Sequence, residues 1–274
     1  MHIMLTAIQS LSLGIVEGLT EFLPVSSSGH LILVRELFGV NSQSGLAFDA
    51  VLQLGTILAV YIYFRRDVWN LILAAWNMAT GAWRKVSQEE QTLLYGIILG
   101  TVPALVLGLL LQKAMDTIFR SALLVACTLI AGSLLFFLAE HYARLKHHAV
   151  SVKQAWWIGC FQVLALVPGV SRSGSTISGG LFLGLKRETA TRFSFLLSLP
   201  IITGSGLLKL WDIHKHGATD FTWFGLALGF AASFAVGYLC IAWLIKYLKN
   251  NSLKVFAWYR IALAFVVLAI LAVR

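Results

Sequence analysis

Apolar residues run in blocks along this chain rather than alternating. Two windows of 19 residues, 93–111 and 121–139, contain no Asp, Glu, Lys or Arg. Each can cross a hydrocarbon core of roughly 30 Å at about 1.5 Å per helical residue. Blocks at 46–64, 193–208, 221–245 and 255–273 read as four further spans. The stretch 68–83 is shorter and holds Trp69, Trp76 and Trp83, which places it at the membrane interface, where Trp is favoured. A transmembrane β-barrel would show short alternating segments instead.

Two other apolar segments are interrupted. The first runs 11–23, breaks at Pro24 and a Ser/Gly stretch, and resumes over 31–40; the second runs 155–167, breaks at Pro168, and resumes over 177–185. Neither half of either segment is long enough to span alone. Proline removes a backbone donor, and the Ser/Gly stretch stops the helix. Irregular backbone at membrane depth persists only where it is enclosed by protein or lines a cavity, so both segments are expected to be re-entrant helix–loop–helix hairpins.

The two breaks are copies. An offset of 145 aligns Gln9, Gly14, Leu19, Val25, Ser26, Ser28 and Gly29 with Gln154, Gly159, Leu164, Val170, Ser171, Ser173 and Gly174. The same offset matches Phe48, Leu52, Leu54 and Ile57 to Phe193, Leu197, Leu199 and Ile202. The expected architecture is an all-α polytopic membrane protein with about six transmembrane helices and two re-entrant hairpins. It is one integral membrane unit over 1–274, with one repeat over about 1–139 and the second over about 150–274. Three spans between the copies turn the second upside down, giving inverted-topology repeats. Paired interrupted segments of this kind point to a binding site between the repeats.

Composition agrees: 58% of residues are hydrophobic and 12% charged, against about 25% charged in soluble domains. The net charge of +9 comes from dispersed basic residues, which excludes a nucleic-acid surface and suits loops facing anionic lipid. Arg65, Arg66, Arg84, Lys85, Arg144, Lys146, Lys153, Lys186, Arg187, Arg192, Lys246, Lys249 and Lys254 fall on one face of the membrane; Arg35, Lys113, Arg120, Lys209, Lys215 and Arg274 fall on the other. Thirteen against six makes the first face cytoplasmic and puts both termini outside. The N-terminus lacks a basic region and a clear cleavage site, so no removable signal peptide is expected. Cys127, Cys160 and Cys240 have no metal-ligand spacing and read as small core residues.

The chemistry gathers in the breaks. Glu17 and Glu21 share a helical face at membrane depth, where a charge needs water, a cation, a basic partner or a proton. Ser26, Ser27, Ser28 and Gly29 open a helix whose free N–H groups and positive dipole end accept phosphate or carboxylate; serine capping is the alternative reading. His30 follows Ser27 at i+3, which makes a nucleophile–base pair available. In the second break Arg172 stands among Ser171, Ser173, Gly174, Ser175 and Thr176, a fork of donors within an anion nest. Arg172 can also pair with Glu17 or Glu21. The second copy has Gln162, Leu166 and Ser175 where the first has Glu17, Glu21 and His30. Acid–base groups therefore belong to the first copy and anion-binding groups to both. A lipid-phosphate hydrolase and a lipid-phosphate transporter both fit this set.

The stretches GIVEGLTEFLPVSSSGH at 14–30, FDAVLQLGTILAV at 48–60 and GCFQVLALVPGVSRSGSTISGG at 159–180 resemble the undecaprenyl-diphosphate phosphatase, or bacitracin-resistance, family. The resemblance extends over essentially the whole chain. It implies hydrolysis of undecaprenyl diphosphate to undecaprenyl phosphate and inorganic phosphate, which recycles the lipid carrier of bacterial cell-wall synthesis. A flippase for undecaprenyl phosphate on the same inverted repeats is the alternative. The family's motifs fall on Glu17 and Glu21, on Ser26, Ser27 and His30, and on Pro168, Gly169, Ser171, Arg172, Ser173 and Thr176. The resemblance further implies a divalent cation, Mg²⁺ or Ca²⁺, for which Glu17 and Glu21 are the candidate ligands. It also implies a bacterial inner-membrane location and a site open to the periplasmic face. Ser27 becomes the candidate nucleophile, with His30 or Glu21 managing its proton; direct attack by water, with Ser27 only binding phosphate, stays open. Membrane lipids are the other expected partners. A homodimer is compatible with this reading, and Asp49 has no role readable from sequence.

Overall fold

The first interrupted segment folds as α1 (Ala7–Thr20) and α2 (Ser27–Phe38) in a computed structural model that describes residues 5–39, 42–117, 121–216 and 221–273. There follow α3 (Ser42–Tyr63), α4 (Arg65–Ala79), α5 (Gln88–Thr117) and α6 (Ala122–Tyr142). The second interrupted segment gives α7 (Val152–Val163), a 3-10 turn at Leu164–Leu166, and α8 (Arg172–Phe182). The chain closes with α9 (Arg187–His216), α10 (Trp223–Asn250) and α11 (Lys254–Val273). No strand occurs among the described residues beyond two isolated bridges. Val40 and the side chains of Lys113, Arg120 and Arg274 lie outside what is described.

Among the described residues, five helices (α5, α6, α9, α10 and α11) are each long and apolar enough to cross a membrane, and a sixth candidate span takes α3 together with α4, a pair that bends by 85°. The bend turns α4 sharply away from α3, with Trp69 and Trp76 exposed. Asp67 at its start pairs with Arg192 of α9 and ties it down. Large apolar side chains such as Leu110, Leu239 and Phe265 point outward. Water would not tolerate so much exposed apolar surface, and lipid favours it.

The two halves reproduce each other at the level of hydrogen bonds. Thr6 and Gln9 form a capping box on α1; Ser151 and Gln154, 145 positions on, form the same box on α7. A methyl group at Gly14 would strike the Gly229 carbonyl, and one at Gly159 would strike the Gly100 carbonyl. So α1 lies directly on α10, and α7 directly on α5. Such backbone-to-backbone approach is how helices associate in lipid, where packing replaces hydrophobic drive.

The contacts also fix direction. Along α1, Ser10, Gly14 and Gly18 meet Gly225, Gly229 and Gly237 in turn, so α1 and α10 are parallel. In contrast, Leu54 lies on Gly206 while Tyr61 hydrogen-bonds Thr203 at 3.1 Å. The matched helices α3 and α9 therefore run antiparallel, as inverted repeats require. By the same geometry, the described ends at residues 5 and 273 lie at one end of the bundle. The loops at 64–87, 143–151 and 250–254 lie at the other, with most of the basic residues. At that end Glu140 of α6 accepts from Arg187 of α9 at 3.0 Å and from the Leu253 N–H at 2.8 Å.

One charge was placed wrongly by sequence. Arg35 is not a loop cation: it is buried and paired with Asp49, joining α2 to α3. This also gives Asp49 a place, as the counter-ion that makes burial of Arg35 tolerable.

Candidate active site

Each hairpin turns on a serine with an uncommon backbone. Ser26 has φ 75° and ψ 96°, and Ser171 has φ 77° and ψ 116°. Each caps the helix that follows by accepting from a glycine N–H, Gly29 at 3.4 Å and Gly174 at 3.2 Å. Each hydroxyl also meets the serine two positions on, Ser28 at 3.3 Å and Ser173 at 3.2 Å. A non-glycine residue at positive φ is strained and persists only where its surroundings over-determine it. The same strain at both matched positions marks the two loops as built features.

The loops meet through Glu21, at the C-cap of α1. Arg172 donates to Glu21 Oε1 at 2.8 Å, and Ser27 donates to Glu21 Oε2 at 2.6 Å. Of the two glutamates open to Arg172 on the sequence, it takes Glu21, and its other arm reaches the Ser194 carbonyl at 3.3 Å. Ser173 bonds the Leu23 carbonyl across the same seam at 3.3 Å. Residues from the two halves thus form one constellation.

The expected Ser27–His30 pair is not made. His30 donates Nδ1–H to the Ser26 carbonyl at 2.8 Å, which leaves Nε2 to the Tyr259 hydroxyl of α11 at 2.8 Å. Its ring stacks on Tyr259. Ser27 turns to Glu21 because a carboxylate is the stronger acceptor, so the group placed to take the Ser27 proton is Glu21.

The second loop's hydroxyls are positioned differently from the first's. Ser28 is exposed and Ser27 and His30 are half-buried, whereas Ser171, Ser173, Gly174, Ser175 and Thr176 are all buried. Thr176 bonds the Arg172 carbonyl at 2.8 Å and the Ser194 hydroxyl at 2.6 Å. A methyl at Gly174 would enter the Phe136 ring. These residues hold Arg172 and the loop in place; Arg172 is the part that reaches out.

Glu17 is fully buried; neither carboxylate oxygen meets a donor, and the one hydrogen-bonding group beside it is the Glu21 carboxyl. The charged groups that act on it are Glu21, Asp49 and Arg35. A buried carboxylate left this way calls for a cation or a proton. Its counterpart Gln162, also buried, has no hydrogen-bond partner and meets the same position without a charge.

Two α11 residues at the site escaped the sequence reading. Tyr259 holds His30, and Arg260 is fully buried with its guanidinium against carbonyls of both loops. Arg260 carried a signal. With Arg172 it is one of only two basic residues that the two-sided charge count leaves unassigned, because both fall inside membrane segments.

A family model described as Bacitracin resistance protein BacA matches residues 10–266. Among curated relatives, the undecaprenyl-diphosphatase of Geobacter sulfurreducens is 46% identical over 265 residues, covering 96% of this chain and 97% of that one. That of Trichlorobacter lovleyi is 44% identical over 264 residues, 95% and 96% of the two chains. That of Thermobifida fusca is 42% identical over 272 residues, 98% and 91%.

Proposed function

The chain belongs to the bacitracin resistance protein BacA family, and from that premise we propose how its two loops carry out the reaction. The activity is hydrolysis of undecaprenyl diphosphate to undecaprenyl phosphate and inorganic phosphate, carried out by a multi-pass membrane enzyme.

In our reading, Ser27 attacks the terminal phosphorus. The observation that carries this is its 2.6 Å hydrogen bond to Glu21, a carboxylate placed to accept the hydroxyl proton. The bond from phosphorus to the bridging oxygen breaks, and undecaprenyl phosphate leaves. The leaving undecaprenyl phosphate carries off the proton held by Glu21; water then attacks the phosphoserine, and Glu21 takes a proton from that water and returns it to the Ser27 oxygen as inorganic phosphate departs. Arg172 neutralises the phosphoryl oxygens; it reaches them by exchanging its Glu21 partner for them. The N-terminus of α2 supplies free N–H groups and a positive dipole end to the same anion. His30 braces the Ser26 carbonyl, and so the turn that presents Ser27.

A divalent cation fits the adjoining carboxyls of Glu17 and Glu21, which would hold it, since no hydrogen-bond donor meets the Glu17 oxygens. Bound there, it would supply charge neutralisation to the diphosphate. Among the described residues no three His, Cys, Asp or Glu side chains converge. The basic end of the bundle faces the cytoplasm in this reading, which places both termini on the periplasmic side and opens the site there.

Purified protein in detergent tests the reading. It should release phosphate from a polyprenyl diphosphate but not from a polyprenyl monophosphate, and release should depend on divalent cation. A carrier without hydrolytic activity would release none, because detergent provides no second compartment. Phosphate release undiminished by chelator would overturn the cation assignment.

A further inference from the structure

Arg260 sits in the second turn of α11 and is its only charged residue after Lys254. Its side chain is completely buried. Nη2 donates to the Gly169 carbonyl at 2.8 Å, and Nη1 donates to Val170 at 2.8 Å and to Pro24 at 3.4 Å. The remaining donor bonds go to the Thr128 and Leu129 carbonyls of α6, at 3.3 to 3.4 Å. The guanidinium lies over the Phe136 ring, 4.7 Å from its centre.

Pro24 and Gly169 are 145 positions apart, so they are the same place in the two repeats. One fork therefore grips equivalent carbonyls of both loops. Each gripped carbonyl lies one or two residues before a strained capping serine, Ser26 or Ser171. In a trans peptide the N–H points opposite the carbonyl, so holding the Val170 carbonyl also fixes where the Ser171 N–H is aimed. Every acceptor found for Arg260 among the described residues is a carbonyl, and none is a carboxylate. Carbonyl dipoles and a ring face offset part of a buried cation's cost but leave its net charge uncancelled.

We propose that Arg260 is a positioning residue for the hydrolysis: its fork holds the two loops in register, and its uncancelled charge beneath them is completed by the substrate's diphosphate. The inference rests on the two loops being the phosphatase site. Arg260 itself touches no substrate.

The test uses the purified full-length protein, with kcat and KM on polyprenyl diphosphate, competition by inorganic pyrophosphate, and the melting temperature of each variant. Arg260→Lys keeps the charge but loses the planar fork. It should hold KM and pyrophosphate competition within about threefold while kcat falls at least about tenfold. Arg260→Gln loses the charge and should also weaken pyrophosphate competition by about tenfold or more. If Arg260→Gln does not fold, Arg260→Lys decides by its split between kcat and KM. The proposal is overturned if either variant loses activity only in proportion to its folded fraction, with that fraction behaving as wild type. Pyrophosphate binding separates the two layers. Arg260-dependent binding without any phosphate release would contradict the hydrolase reading and leave the charge assignment standing.

Discussion

At the residue scale, Glu17 and Gln162 are the most informative pair. They occupy matched positions of one repeated hairpin and both are buried; Gln162 has no hydrogen-bond partner, and Glu17 has only the Glu21 carboxyl. Only Glu17 puts a charge there, which is a cost the fold does not need. Replacing Glu17 by Gln should leave the melting temperature unchanged or raise it, since it removes an unpaired buried carboxylate. Phosphate release should fall by at least about a hundredfold, and its dependence on divalent cation should disappear. A Glu17→Gln protein that melts lower and stays active would show that the carboxylate is structural. Sequence made Glu17, Glu21, Ser27 and Arg172 legible because carboxylates, an arginine and serines are rare in apolar segments. It offered Ser27 both His30 and Glu21, and the structure takes Glu21, because spacing reports only what is adjacent on one helix. The partners chosen, Glu21 and Tyr259, depend on the turn before α2 and on a helix 229 positions away.

At the element scale, the hairpins are set by glycines at helix contacts. Gly14 on Gly229 and Gly159 on Gly100 bring backbones together at matched points of the two repeats. Gly159→Leu should force α7 from α5 and destabilise the protein by about 1–3 kcal/mol or more, as overpacking does. A melting temperature in detergent measures this. Loss of activity should follow loss of folded protein, because α7 positions the second loop but carries none of its chemistry. An unchanged melting temperature would mean that this contact is looser than described. Helix runs and the two breaks were readable from hydropathy and proline placement. The buried Arg35–Asp49 pair was not. A lone arginine near a helix end looks like a loop charge until its counter-ion on the next helix is placed. Removing that counter-ion by Asp49→Ala should lower the melting temperature in detergent, because it takes away the carboxylate that joins α2 to α3.

At the scale of the whole molecule, antiparallel α3 and α9 make the second half an inverted copy of the first, so the two loops approach one another from opposite ends of the bundle. This much was legible from a single fixed offset along the sequence. Orientation in the membrane follows from charge and can be measured. In a cysteine-free background, a cysteine at Ser87 should react with a membrane-impermeant thiol reagent only after cells are opened, and one at Thr222 should react in intact cells. The reverse pattern would invert the enzyme in its membrane. The central claim is that the halves build one site, in which Arg172 of the second holds the phosphate that Ser27 of the first attacks. Acid-quenched turnover of substrate labelled at the terminal phosphorus tests it most directly. Wild-type protein should carry label on Ser27, and Ser27→Ala should carry none and turn over at least about a thousandfold more slowly. Unlabelled wild-type protein, together with a Ser27→Ala enzyme that keeps more than about a tenth of the activity, would contradict the account.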